Sequence, residues 1–173
     1  QYMRYKMFPA YERAGLPEAL LFGILAKESG GKVHAVSRAG ASGPLQFMYY
    51  TGVRYGLGKD GGFDQRFDPA LSASANVAYM NDQLRLFNND LELALGAYNG
   101  GEGTVSRAVK KNAAAGRPTD FFSLDLKAET RDYVPKLLAI SRLVAEPETY
   151  GLTFAPIPNQ PYFGVVDPGK QVH

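Results

Sequence analysis

The sequence contains no cysteine. Disulfide scaffolds, thiolate zinc sites and cysteine nucleophiles are therefore excluded, and so is a lipid-modified cysteine within these residues. Histidine is nearly as scarce. His34 and His173 stand alone, and no group of side chains has metal-ligand spacing. Ser29 and Ser37 thus lack a histidine–aspartate partnership, which argues against a serine hydrolase. No apolar run approaches the roughly 18 residues of a membrane-spanning helix. Charge of one sign is also in short supply: 19 basic and 17 acidic residues leave a formal +2. A nucleic-acid partner would require a concentrated basic stripe, so none is expected. Gly56-Leu57-Gly58-Lys59-Asp60-Gly61 matches a dinucleotide fingerprint, but no strand precedes it and no βαβ unit surrounds it. Gly100-Gly101-Glu102-Gly103 reads as a tight turn between helices rather than an anion nest. No cofactor is implied.

What is present is 173 residues of ordinary globular composition, 45% hydrophobic and 21% charged, a length that suits one domain. The chain starts at Gln1 with no signal peptide, which reads as a mature fragment or a cut-out domain. The periodicity is helical almost throughout, and the expected fold class is mainly α. Residues 2–14 suggest a short helix, or two half-turns broken at Pro9. Pro17 opens a helix over 17–29, with Leu20, Leu21, Ile24 and Leu25 at helical spacing before Gly30-Gly31. Residues 31–43 read as loop, a helix over about 44–55 is expected to start at Pro44, and the glycine-rich 56–67 reads as irregular. Asp68-Pro69 is a cap and first-turn proline for a helix over about 69–88, striped by Ala73, Val77, Met80, Leu84 and Phe87. Asn88-Asn89-Asp90 is a turn. Leu91, Ala94, Leu95 and Tyr98 mark a short helix ending at Asn99-Gly100-Gly101, and another helix runs over about 102–112, with Lys110-Lys111 as a solvated end. A last helix spans about 127–145, with Pro135 as a kink or its true start. Beyond Glu146, Pro147, Pro156, Pro158, Pro161 and Pro168 punctuate an extended tail carrying Phe154, Tyr162 and Phe163. No strand pattern and no internal repeat stand out.

Chemistry is concentrated at Glu28. It lies four residues after Ile24 and eight after Leu20, so the apolar face of its helix ends in a carboxylate. It also sits in the last turn, where the helix dipole disfavours negative charge. Burial and dipole both favour the protonated form, and an acid kept neutral near pH 7 is a usable general acid. The other reading is a surface glutamate at a frayed helix end. Two-carboxylate glycosidase chemistry would need a second acid. Asp60, Asp64 and Asp68 are the candidates beside the glycine-rich segment, and Asp68 is better explained as a cap.

The surroundings of Glu28 carry a resemblance. Glu28-Ser29 is followed by Ser37, then Gly40-Ala41-Ser42-Gly43, then Gln46 and Met48, at nine, eighteen and twenty residues after the glutamate. Ala97-Tyr98-Asn99-Gly100-Gly101 and Glu129-Thr130-Arg131-Asp132-Tyr133-Val134 follow in order. This pattern, over about residues 3–163, resembles the lytic transglycosylase family with the goose-type lysozyme fold, and most of all its membrane-bound murein transglycosylase D branch. Two departures lie beside the cleft lining. Gly43-Pro44-Leu45-Gln46 stands where the family usually has Gly-Leu-Met-Gln or Gly-Leu-Trp-Gln, and Tyr49 stands where it usually has proline. Both bear on subsite preference more than on the reaction.

The resemblance implies a lysozyme-like helical lobe with an elongated groove. It implies cleavage of the β-1,4 bond between N-acetylmuramic acid and N-acetylglucosamine in peptidoglycan, without water, to leave 1,6-anhydro ends; the alternatives are a goose-type lysozyme-like hydrolysis by water and, more distantly, a non-catalytic glycan-binding module. Glu28 would act as acid and then base, and the substrate's acetamido oxygen would replace a second carboxylate. Ser37 would contact the acetamido group or orient Glu28, and Tyr98 and Asn99 would line the same subsite. Gln46 and Met48 would line the sugar groove, and Glu129 and Tyr133 would lie near the cleft. From pattern alone Tyr98 reads equally as core, Met48 as core filling and Glu129 as a cap or a solvated side chain. The implied partner is the glycan strand of the wall, and the implied location the periplasm or cell envelope, with outer-membrane association in a full-length protein; nothing in the sequence suggests an obligate dimer, so a monomer is expected. Residues 1–146 are expected to be the catalytic domain, and 147–173 a tail that packs on it and leads to further modules.

Overall fold

A computed structural model describes residues 2–161. Among these residues there are seven α-helices: α1 Tyr2–Arg13, α2 Glu18–Glu28, α3 Tyr49–Arg54, α4 Pro69–Leu86, α5 Leu91–Gly100, α6 Glu102–Ala114 and α7 Ala128–Ala145. The mainly α class expected from periodicity is what is found. The apolar stripes meet in one core, where Met7, Leu21, Ile24, Leu45, Met80, Leu95, Val105 and Leu137 are fully buried. α2 lies along α7, α1 along α4, and α5 packs against α4, α6 and α7.

Capping follows the sequence closely. The Asp68 carboxylate accepts from the Leu71 amide (2.9 Å) and Asp90 from the Leu93 amide (3.0 Å). Each satisfies a backbone donor that a helix start leaves open. Asn88 and Asn89 take positive φ in the turn between α4 and α5, and α5 ends at Gly101 with φ 90°.

Several expectations need correction. Pro9 does not break α1. The helix continues because Met7, Ala10 and Tyr11 are buried on its far side, and that packing outweighs one missing backbone bond. Pro135 lies inside α7 and does not mark its start, which is Ala128. The glycine-rich segment is not wholly irregular: β1 (Lys59–Asp60) and β2 (Phe63–Asp64) form a small antiparallel hairpin, with Lys59 opposite Asp64, before a 3₁₀ turn at Gln65–Phe67. After Pro147–Tyr150, another 3₁₀ turn, the chain runs extended and exposed to Pro161, touching α1 where Arg4 Nη1 donates to the Ile157 carbonyl (2.6 Å). Tyr162, Phe163 and Pro168 lie outside the described residues.

The largest correction concerns 44–55. Only Tyr49–Arg54 is helical. Ser42 bridges to both Val36 and Phe47, and Ser42 and Phe47 exchange backbone hydrogen bonds of 3.0 and 3.1 Å. The turn between them needs positive φ at Gly43 (84°) and Gln46 (54°), which no helix can propagate. Arg66 clamps this turn from beneath. Only 8% exposed, it donates to the carbonyls of Gly40 and Phe47 (both 3.0 Å) while its other edge grips Asp64 (2.7 Å). A Cβ at Gly43 would lie 1.8 Å from the Arg66 carbonyl oxygen. Gly43→Ala is therefore expected to cost about 3 kcal/mol or more, from the positive φ and the clash together, read as a lowered urea midpoint.

Candidate active site

The position of Glu28 is set by how closely α2 approaches α7. Gly23 faces α7 so tightly that a Cβ there would lie 2.3 Å from Ser141 Oγ and 3.1 Å from the Leu137 carbonyl. The two helices run antiparallel. Moving from Gly23 towards the end of α2 therefore means moving back along α7 from Leu137, and this brings Glu28 to Tyr133. The Tyr133 hydroxyl donates to Glu28 Oε1 at 2.6 Å. Lys27 holds its ammonium 5.7 Å from the centre of the Tyr133 ring.

Glu28 is half-buried, and burial pushes its pKa above the ordinary carboxylate value. The Tyr133 bond and the Lys27 charge oppose that shift, whereas Glu129, exposed on the first turn of α7, adds to it; the net direction is upward. Glu129 acts on the site through its charge.

A cavity of about 290 Å³ opens in front of Glu28. Gln46, Phe47 and Met48 line it from the turn before α3, and Thr51 from α3 itself. Tyr79 lines it from α4, and Tyr98, Asn99 and Gly101 from the end of α5. Glu28 is its one carboxylate among the described residues. Asp64, the nearest rival in the sequence, is engaged by Arg66, which holds its carboxyl below the usual carboxylate range. Asp68 is a helix cap and Asp60 sits exposed in the hairpin. No cluster of three His, Asp or Glu side chains suited to a metal occurs among the described residues.

Tyr98 lines the cavity, but its hydroxyl faces inward. It accepts from Asn76 Nδ2 (3.1 Å) and donates to the Leu45 carbonyl (3.2 Å), and burial drives its pKa well up. Asn76 in turn accepts from the Tyr11 hydroxyl. A buried polar chain thus runs from α1 through α4 and α5 to the cavity wall. Gln46 Nε2 donates to the carbonyls of Ala35 (3.0 Å) and Gly43 (2.8 Å). Met48 lines the cavity and is exposed, so it is not core filling.

Ser37 lies outside the cavity lining. Its Oγ accepts from the Ala41 amide (3.0 Å) and closes the turn that carries Gly40.

The family model described as "Transglycosylase SLT domain" matches residues 7–121. The chain belongs to the transglycosylase SLT domain family. It is 42% identical over 125 residues to the membrane-bound lytic murein transglycosylase D of Escherichia coli K12, an alignment covering 72% of this chain and 28% of that protein. It is 33% identical over 115 residues to the membrane-bound lytic murein transglycosylase C of Pectobacterium atrosepticum, covering 60% of this chain and 32% of the relative. This SLT chain thus spans about a third or less of the length of these curated relatives.

Two solved structures share the fold. An inactive mutant of the lytic transglycosylase Slt from Pseudomonas aeruginosa superposes with a TM-score of 0.68 at 24% identity, over 87% of this chain and 25% of the other. The 70 kDa soluble lytic transglycosylase of Escherichia coli gives 0.66 at 24% identity, over 80% and 24%. The lysozyme-like helical fold expected from the sequence is therefore the one observed.

The sequence reading missed Tyr79, Thr51 and Phe47 as lining residues and Asn76 as the support of Tyr98. A signal for part of this lay in α4. Asn76, Tyr79 and Gln83 recur at helical spacing beside the apolar stripe Ala73–Val77–Met80–Leu84, and Asn76 and Gln83 are fully buried. Polar residues keeping step with a core stripe mark a helix whose buried face includes a site.

The raised pKa of Glu28 carries a stability consequence. A carboxyl whose folded value exceeds its unfolded value contributes fully at low pH and loses that contribution as pH climbs through the folded value. Glu28→Gln keeps an acceptor for Tyr133 and removes the half-buried charge. Its thermal midpoint should exceed wild type at pH 7, and the gap should close below the ordinary glutamate value of about 4.3.

Proposed function

We propose that this SLT chain is the catalytic part of a peptidoglycan lytic transglycosylase, cleaving between N-acetylmuramic acid and N-acetylglucosamine and leaving 1,6-anhydro ends. The observation that carries the reading is Glu28. It is the one carboxylate of the cavity among the described residues, is held by Tyr133, and has its pKa raised by burial.

Tyr133 occupies Oε1, so Oε2 is the oxygen left to carry the catalytic proton. Glu28 donates that proton to the glycosidic oxygen as the C1–O bond breaks, releasing N-acetylglucosamine with a free 4-hydroxyl. Positive charge grows at C1 and is met by the substrate's own acetamido oxygen. Glu28, now a carboxylate, removes the proton of the muramic acid 6-hydroxyl as O6 bonds to C1. The acid is regenerated and no water is consumed. An inverting hydrolase would need a second carboxylate about 6.5–9.5 Å from the first to activate water. The engagement of Asp64 by Arg66 and the capping role of Asp68 support the single-acid scheme.

Gln46, Met48, Tyr98 and Asn99 are the residues we assign to the sugar groove, with Tyr133 positioning the acid and Glu129 tuning its charge. For Ser37 we propose an indirect part, as the brace of the turn at 37–41. The partner is the wall glycan, and the working location the periplasmic side of the envelope. Residues 1–146 form the catalytic unit in this reading, and the extended segment after them is a connector.

Two experiments test this. Digestion of purified sacculi followed by mass spectrometry should give anhydro-muropeptides, and Glu28→Gln should lower the rate by about 10²-fold or more, the scale of losing a general acid–base. Products with only reducing ends, heavier by one water, would overturn the reaction assignment. Tyr133→Phe should reduce the rate by about 10–100-fold through lost positioning. Because the phenol stabilises the ionised carboxyl, the same variant should move the alkaline limb of the pH–rate profile to higher pH.

A further inference from the structure

A row of three tyrosines begins in the cavity wall beside Glu28, with Tyr98 and Tyr79, and continues outward to Tyr55 at the end of α3. Tyr98 packs on Tyr79 (ring centroids 5.1 Å apart, planes at 36°), and Tyr79 on Tyr55 (5.1 Å, 30°). The Tyr98 end adjoins Glu28, whose charge acts on the Tyr98 phenol. The Tyr55 end is covered differently. Arg54 sets its guanidinium over the Tyr55 ring, 5.5 Å from the centroid, and reaches Glu102 at 3.9 Å. The charges of Glu102 and Arg54 also act on the Tyr79 hydroxyl, in opposite senses, so the pair faces the middle of the row.

These two residues come from different walls of the groove. Arg54 ends α3, one turn after Thr51, and Glu102 opens α6, next to Gly101; Thr51 and Gly101 both line the cavity. Glu102 is anchored, because it accepts from the buried Gln83 Nε2 (3.2 Å) and its charge suits the start of a helix. Arg54 is held only by a ring face and a long ion pair, and 64% of its side chain is exposed. An exposed pair of this kind contributes little and can be displaced.

We propose that Arg54 is a specificity-determining residue: with Glu102 it straps the two walls together beyond Tyr79 and limits how far a glycan strand extends on that side of the reacting bond. The inference rests on the glycan-cleaving reading above. The strap acts as a bias on the point of cleavage rather than a wall, since the pair opens at low cost. A strand that ends near Tyr79 leaves it intact, whereas a longer overhang must push Arg54 off Glu102.

The test is the cut-site distribution on end-labelled glycan strands of one defined length, prepared from sacculi stripped of their stem peptides. Wild type should favour cuts that leave a short overhang on one side. Arg54→Ala should raise the share of cuts one or more disaccharides further in by about threefold, the scale of losing an exposed ion pair, and Arg54→Glu by at least as much. Arg54→Lys, which keeps the charge, should restore the wild-type pattern. Salt near 1 M, where the screening length falls to about 3 Å, should shift wild type towards the Arg54→Ala pattern and leave that variant unmoved. An unchanged distribution in active Arg54→Ala and Arg54→Glu enzymes overturns the strap and spares the glycan-cleaving reading. Failure of wild type to cut either these strands or intact sacculi overturns both.

Discussion

The contact between α2 and α7 at Gly23 governs the site. A Cβ at that position would meet Ser141 Oγ at 2.3 Å and the Leu137 carbonyl oxygen at 3.1 Å, so the absent side chain of Gly23 lets the two helices lie close. That closeness fixes their register, and the register delivers Tyr133 to Glu28. A carboxylate at the end of an apolar face would otherwise turn to solvent, where its pKa would be ordinary. Packing that looks purely structural is thus what sets the protonation of Glu28, the one acid of the cavity among the described residues.

Two further supports hold the opposite side of the groove, and both place polar groups where apolar ones would ordinarily sit. Tyr11, Asn76 and Tyr98 form a buried hydrogen-bonded chain that ends on the Leu45 carbonyl. Arg66, nearly buried, organises the turn at 40–47 through Gly40 and Phe47 and is neutralised by Asp64. Such groups cost a great deal when half-satisfied, so once fully partnered they admit few alternative arrangements. They give the groove walls a definite shape even where backbone is irregular.

The helices were legible because their signals are local. Asp68-Pro69 and Gly101 each act within one turn of chain, and the structure uses them as a cap and a stop, while Asp90, read only as part of a turn, caps α5. Glu28 was legible for the same reason, as an acid on an apolar stripe. The turn at 42–47 was not. Pro44 favours a helix start locally, and what opposes one is the positive φ at Gln46 together with Arg66, farther along the chain, taking the Phe47 carbonyl that a helix would need. Pro9 fails in the opposite direction, since the burial of Tyr11 and Met7 overrides a local breaker. The bond between Tyr133 and Glu28 spans 105 residues. No window of sequence contains it; periodicity puts Tyr133 on the apolar face of its helix, and only the motif resemblance put it near the cleft.

Gln46 has a consequence of its own. Its positive φ turns the side chain back over the loop, and both protons of its amide nitrogen go to main-chain oxygens there. What the side chain has left to offer is one acceptor, its Oε1, held in a single orientation. An amide able to flip would welcome either polarity of guest. Here a flip would break both bonds at once, so the loop leaves an ambidextrous residue able only to accept.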